Sequence, residues 1–78
     1  MPTVHREEGF RFFFFSNEGD ESPHVHVERG DGYAKFWLSP ISLADASGMK
    51  APELAKARSI IAENRTRFEE RYNEYFGS

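Results

Sequence analysis

The sequence predicts an α+β domain: an antiparallel sheet of three to four strands packed on one long C-terminal helix. Three observations carry that expectation. Apolar and aromatic residues run at strand period through the first half, Gly-containing turns punctuate them, and from Ala51 onward the period changes to 3.6. At 78 residues the chain is expected to form a single domain, residues 1–78, with a small core. Aromatics make up 15% of the chain, eight of them Phe, and large rings remove much apolar area per residue.

Strands are expected at about 3–7 and 10–16, joined by Glu8-Gly9. The second is unusual, because Phe12, Phe13, Phe14 and Phe15 put rings on both of its faces. One face is expected to meet the helix. The other must meet a loop, a second layer or another chain; a two-sided core strand is the plainer reading, and a subunit interface, with Phe13 and Phe15 as candidate binding residues, is the alternative.

Ser16 to Ser22 is polar and acidic and reads as a loop. Pro23 then opens a strand at 24–29, with Val25 and Val27 on one face and His24, His26 and Glu28 on the other. Gly30-Asp31-Gly32 is a tight hairpin connection and makes a poor phosphate cradle. The returning strand, 33–38, runs Tyr33-Ala34-Lys35-Phe36-Trp37-Leu38 and ends at Ser39-Pro40. Ile41 to Gly48 is expected to form a helical turn closed by Gly48. The long helix, about 52–75, starts with Pro52 and Glu53 in its first turn and stops at Gly77. Leu54, Ala57, Ile61, Asn64, Phe68, Tyr72 and Tyr75 trace its buried stripe, with Phe76 adding bulk. Glu63 and Arg67 are spaced for an i,i+4 pair. Such a helix is roughly 35 Å long, enough to cover a sheet face.

Charge narrows the function classes. The net charge is −3, and all of it falls in residues 1–38, since residues 39–78 balance. Neither half is a basic footprint, so nucleic acid is the less favoured partner. There is no Cys, hence no disulfide or thiolate chemistry, which suits a reducing cytoplasm. No apolar run reaches membrane-spanning length and no signal-peptide core stands at the N-terminus, so a cytoplasmic protein is expected.

His24 and His26 are the sharpest chemical hint. On a strand, residues i and i+2 share a face with Cα atoms about 6.5–7 Å apart, an arrangement that offers two imidazoles to one zinc. Glu28 and His5 are the candidates to complete such a site; no other metal-ligand spacing occurs. No cofactor is therefore expected, with zinc the exception. A second role is acid–base work on RNA, where His24 and His26 trade protons and Arg11 or Lys35 steadies the phosphate. Trp37 or Tyr33 would stack a base. The plainer role is structural, with both imidazoles bonded to the acidic loop through Glu18, Asp20 or Glu21. Lys35 has an equally plain use as cross-strand partner of Glu28, and Trp37 as a core residue. Ser16 and Ser39 have no base at motif spacing.

Taken together, Met1-Pro2-Thr3-Val4, Gly9-Phe10-Arg11-Phe12-Phe13-Phe14, Pro23-His24-Val25-His26-Val27 and Ala34-Lys35-Phe36-Trp37-Leu38 resemble a small bacterial family catalogued as domain of unknown function 4160. Glu53-Leu54 and Asn73-Glu74-Tyr75-Phe76 extend the resemblance over nearly the full length. The chain departs from the usual pattern at Ser22, where members carry a second Pro, and in a slightly longer acidic loop. The resemblance implies a place in paired gene modules of the toxin–antitoxin kind and supplies no catalytic residues. The expected function is protein–protein contact, as a small partner or regulator and in one form an acidic inhibitor. Its partner is expected to be another small protein of the module or a basic target, and a homodimer is also open. The candidate binding residues are Phe13, Phe15, His24, His26, Glu28 and Trp37; His24, His26 and Lys35 are the catalytic candidates of the runner-up, a ribonuclease toxin. Metal binding through His24 and His26 ranks third.

Overall fold

Among the described residues, five antiparallel strands form a simple meander, and two helices follow. The computed structural model describes residues 3–15 and 21–77. Its elements are β1 (Thr3–Glu7), β2 (Phe10–Phe13), β3 (His24–Arg29), β4 (Gly32–Leu38), β5 (Ile41–Ser47), α1 (Ala51–Glu63) and α2 (Arg65–Phe76). The spatial order of the strands is their order in the chain. Each connection is therefore local, as a short chain with little loop length demands.

The turns explain the meander. Glu8 and Gly9 both have positive φ, 52° and 85°, the backbone signature of the two-residue turn that matches strand twist. Gly30, at φ 58°, opens the β3–β4 turn, after which Arg29 pairs with Gly32. Ser39-Pro40 links Leu38 to its cross-strand partner Ile41.

Both helices cover one face of the sheet. The core between them collects Phe10, Phe12 and Phe14 from the β2 segment, Val25 and Val27 from β3, and Ala34, Phe36 and Leu38 from β4. Ala57, Ile60 and Ile61 from α1 and Phe68 and Tyr72 from α2 close it. The expected stripe is there, with Tyr75 as its exposed member at 41%. Gly77 ends α2 in the left-handed conformation, its N–H bonded to the Asn73 carbonyl.

Four expectations need correction. The sheet has five strands rather than three to four, because 41–47 is a strand and not a helical turn. Its small residues give no clear alternation, since most of this outer strand is exposed on both faces; pairing with β4 supplies the backbone bonds that local propensity did not announce. The helix is two helices broken at Asn64, whose side-chain Nδ2 bonds the Ile60 carbonyl at 2.8 Å and whose φ of −116° leaves the helical range. β2 ends in the ladder at Phe13 rather than at 16, and residue 16 lies outside the described residues. Arg67 does not pair with Glu63; it turns to β1, while Arg65 and Glu69 form the i,i+4 pair at 3.7 Å.

Candidate functional site

Strand alternation puts a second aromatic layer on the face of the sheet away from the helices. Register sets its membership: Phe13 lies opposite His26, His26 opposite Lys35, His24 opposite Trp37, and Glu28 opposite both Arg11 and Tyr33. Phe15 joins from the end of the β2 segment, its ring edge-on to His26 at 4.3 Å and to Phe13 at 5.4 Å. The double aromatic run of 12–15 thus serves two layers, even positions to the helices and odd positions to this face.

His24 and His26 are 1% exposed. They are wedged among rings rather than presented to solvent. His26 stacks between Phe13 (5.5 Å, 25°) and Tyr33 (5.9 Å, 24°), and its Nδ1 is 2.8 Å from the Tyr33 hydroxyl. His24 meets His26, Trp37 and Tyr72 edge-on at 5.1–5.6 Å. Its Nδ1 is 2.8 Å from the Ser22 carbonyl, which only accepts, so this nitrogen carries the proton. One expected carboxylate, Glu21, is drawn elsewhere, to Lys35 at 2.7 Å. Its backbone carbonyl accepts from the Tyr72 hydroxyl at 3.0 Å, which ties the end of the loop to α2. Glu18 and Asp20 lie outside the described residues.

Two cations lie flat on this layer. Arg11 sits 4.4 Å above the Phe13 ring and bonds Glu28 at 2.9 Å; Lys35 sits 4.7 Å from the Trp37 ring and bonds Glu21. Lys35 therefore does not serve Glu28, because Arg11 reaches that carboxylate first. Trp37 is half-buried under Lys35, neither a core residue nor an open stacking platform. The exposures order each pair: the Arg11 and Lys35 side chains are 20% and 16% exposed, their Glu28 and Glu21 partners 45% and 39%. The outermost charges over the rings are carboxylates. Exposed Asp45, opposite Lys35 on β5, adds a third, and Arg6, opposite Arg11, is the exposed cation at the β1 side.

The third imidazole does not join the pair. A register shift between Thr3 and His5 turns His5 to the helix face, where it lies against Phe12 and Phe68. Among the described residues no three His, Asp or Glu side chains are grouped to hold a metal ion. The cluster that sequence reasoning missed is on that face: Arg67 of α2 reaches His5 Nδ1 at 2.6 Å and the Val4 carbonyl at 3.4 Å. Partners more than sixty residues apart leave no local signal. No helix of the described chain is long and apolar enough to cross a membrane.

A family profile described as Domain of unknown function (DUF4160) matches residues 9–73. No curated protein matches the chain, and neither does any solved structure.

Proposed function

The chain belongs to the DUF4160 family, and we propose that it is a small cytoplasmic binding partner or regulator that docks the helix-free face of its sheet onto a basic surface of another protein. The observation that carries this is the ordering of charge over the aromatic layer. Phe13, Phe15, Tyr33 and Trp37 provide apolar contact area, Arg11 and Lys35 lie down on the rings, and Glu21, Glu28 and Asp45 stand outermost, with exposed Arg6 at the β1 margin. Aromatics flanked by outward carboxylates complement a cationic partner, steer its approach and lose strength with salt. In a toxin–antitoxin-like pair, such a protein works as an acidic inhibitor that occupies a nucleic-acid-binding surface.

The burial of His24 and His26 supports docking over the ribonuclease alternative. A general acid or base must come within hydrogen-bond reach of its substrate, and these two rings are enclosed by their neighbours.

The test is capture of the native partner followed by titration with Glu21→Gln/Glu28→Gln protein. Binding is expected to weaken at least tenfold and to lose much of its salt dependence. A Glu69→Gln control on α2 should bind as the wild type does. Equal affinity of the double variant, or a strictly monomeric protein that captures nothing, would overturn the proposal.

A further inference from the structure

β1 is an outer strand of the sheet, and Arg67 of α2 ties to it at two points, the His5 ring and the Val4 carbonyl. His5 sits between the rings of Phe12 and Phe68, each centroid 5.8 Å away. On one side its Nε2 is 2.9 Å from Glu7 Oε1. On the other, Arg67 brings Nη2 to 2.6 Å from Nδ1, with Nη1 at 3.4 Å from the Val4 carbonyl oxygen and Nη2 at 3.3 Å from Asn64 Oδ1. A guanidinium has only donors, so Nδ1 must accept and the ring proton must sit on Nε2, donated to Glu7. The geometry requires a neutral His5.

We propose that His5 is a pH-sensitive latch between β1 and α2. Neutral, it accepts from Arg67 and holds the strand against the helix. A second proton, placed on Nδ1, sets N–H against N–H at the Arg67 contact and brings two positive charges together, so Arg67 leaves. The Glu7 bond survives in both states, because Nε2 keeps its proton. Only the helix side opens.

The charged groups in contact with the ring are Glu7 from β1 and Arg67 from α2; β2 contributes uncharged Phe12, and α2 also uncharged Phe68. The freed guanidinium has somewhere to go. Glu63 and Glu70 stand one turn to either side of it and line the same surface cleft at the Asn64 break. Two alternative partners for one Arg make a two-state element that protonation of the imidazole biases. Thr3, on the same strand, accepts from Arg11 at 2.8 Å, so opening the latch also loosens one wall of the docking face. That consequence rests on the docking proposal; the latch does not.

Nitrogen-resolved imidazole NMR and amide hydrogen exchange test it on the isolated protein, with no partner required. At neutral pH His5 is expected as the Nε2–H tautomer. Between about pH 7.5 and about pH 5.5, exchange protection of Val4 to Glu7, corrected for intrinsic rates, should fall about tenfold relative to β3, the equivalent of one hydrogen bond. His5→Gln presents an acceptor to Arg67 and a donor to Glu7, and should keep β1 protected at both pH values. Arg67→Met should leave it less protected at both. An Nδ1–H tautomer at neutral pH, β1 protection that tracks β3 throughout, or a pH response that persists in His5→Gln would each overturn the latch. The first two readouts use the wild-type protein and decide the matter even if a variant fails to fold.

Discussion

His24 and His26 owe their surroundings to the rings packed about them as much as to their residue type. Two imidazoles on one strand face invite a catalytic or metal role, yet each is held among rings and bonded through Nδ1. Truncation should therefore cost stability. His26→Ala removes a ring stacked between Phe13 and Tyr33, and His24→Ala leaves the Ser22 carbonyl without its donor. Each is expected to lower unfolding free energy by about 2 kcal/mol, measured by denaturant titration at unchanged m. A second residue-scale prediction concerns Glu53. The Lys50 backbone N–H, and after it the Arg29 side chain, hold the Glu53 carboxyl below the usual glutamate range. A folded value that is depressed contributes stability above the unfolded value and loses it as pH falls through the folded one. Glu53→Gln should therefore be slightly less stable than wild type at neutral pH, with the gap closing in acid; melting curves across that range check the sign. The nearby Pro52 and Glu53 were legible as a helix start because first-turn signals are local. Arg67 was not, because an i,i+4 rule names Glu63 while the fold brings His5 closer.

At the scale of elements, close backbone approaches decide more than propensity. Gly32 begins β4 without a positive φ, so no turn requirement marks it. A Cβ there would lie 2.7 Å from Met49 Cγ and 2.9 Å from the Gly48 carbonyl oxygen, where the chain leaving β5 crosses the β3–β4 hairpin. Gly32→Ala is expected to destabilise by about 1–3 kcal/mol, read as a drop in Tm of several degrees. β5 escaped the sequence because its residues carry little pattern, and the strand exists because β4 presents an edge to it. Asn64 is the other case. On the helical wheel it belongs to the buried stripe, but its side chain takes the Ile60 carbonyl and the helix divides there, so that α1 lies against β4 and β5 and α2 against β3 and β4.

Across the whole molecule, one face of the sheet is covered by helices and the other by a layer of aromatics under paired charges. A chain of 78 residues has no further element to lay over that second face among its described residues. On the docking proposal, the outward carboxylates set the sign of the partner, and the rings beneath supply contact area. Light scattering of wild type with its captured partner should show a complex that weakens as salt rises, because exposed charges are screened within about 10 Å at 0.1 M. Glu21→Gln/Glu28→Gln should flatten that dependence.

The sequence by itself determined the α+β class, the strands at 3–7 and 24–29, both glycine turns, the helical stripe and the two-sided Phe run. These follow from period, turn chemistry and bulk, all of which act over a few neighbouring residues. Only the tertiary structure decided that 41–47 is a strand, that the helix breaks at Asn64, that Lys35 pairs with Glu21, and that His5 faces Arg67 instead of the other two imidazoles. The physical reason is the same each time. Such outcomes depend on which of several competing partners arrives first in space, and that competition is set by packing between segments far apart in the chain. The Pro-His-Val-His-Val strand combines both: its alternation was plain in the residues, and the burial of its imidazoles came from the rings that the fold brought around them.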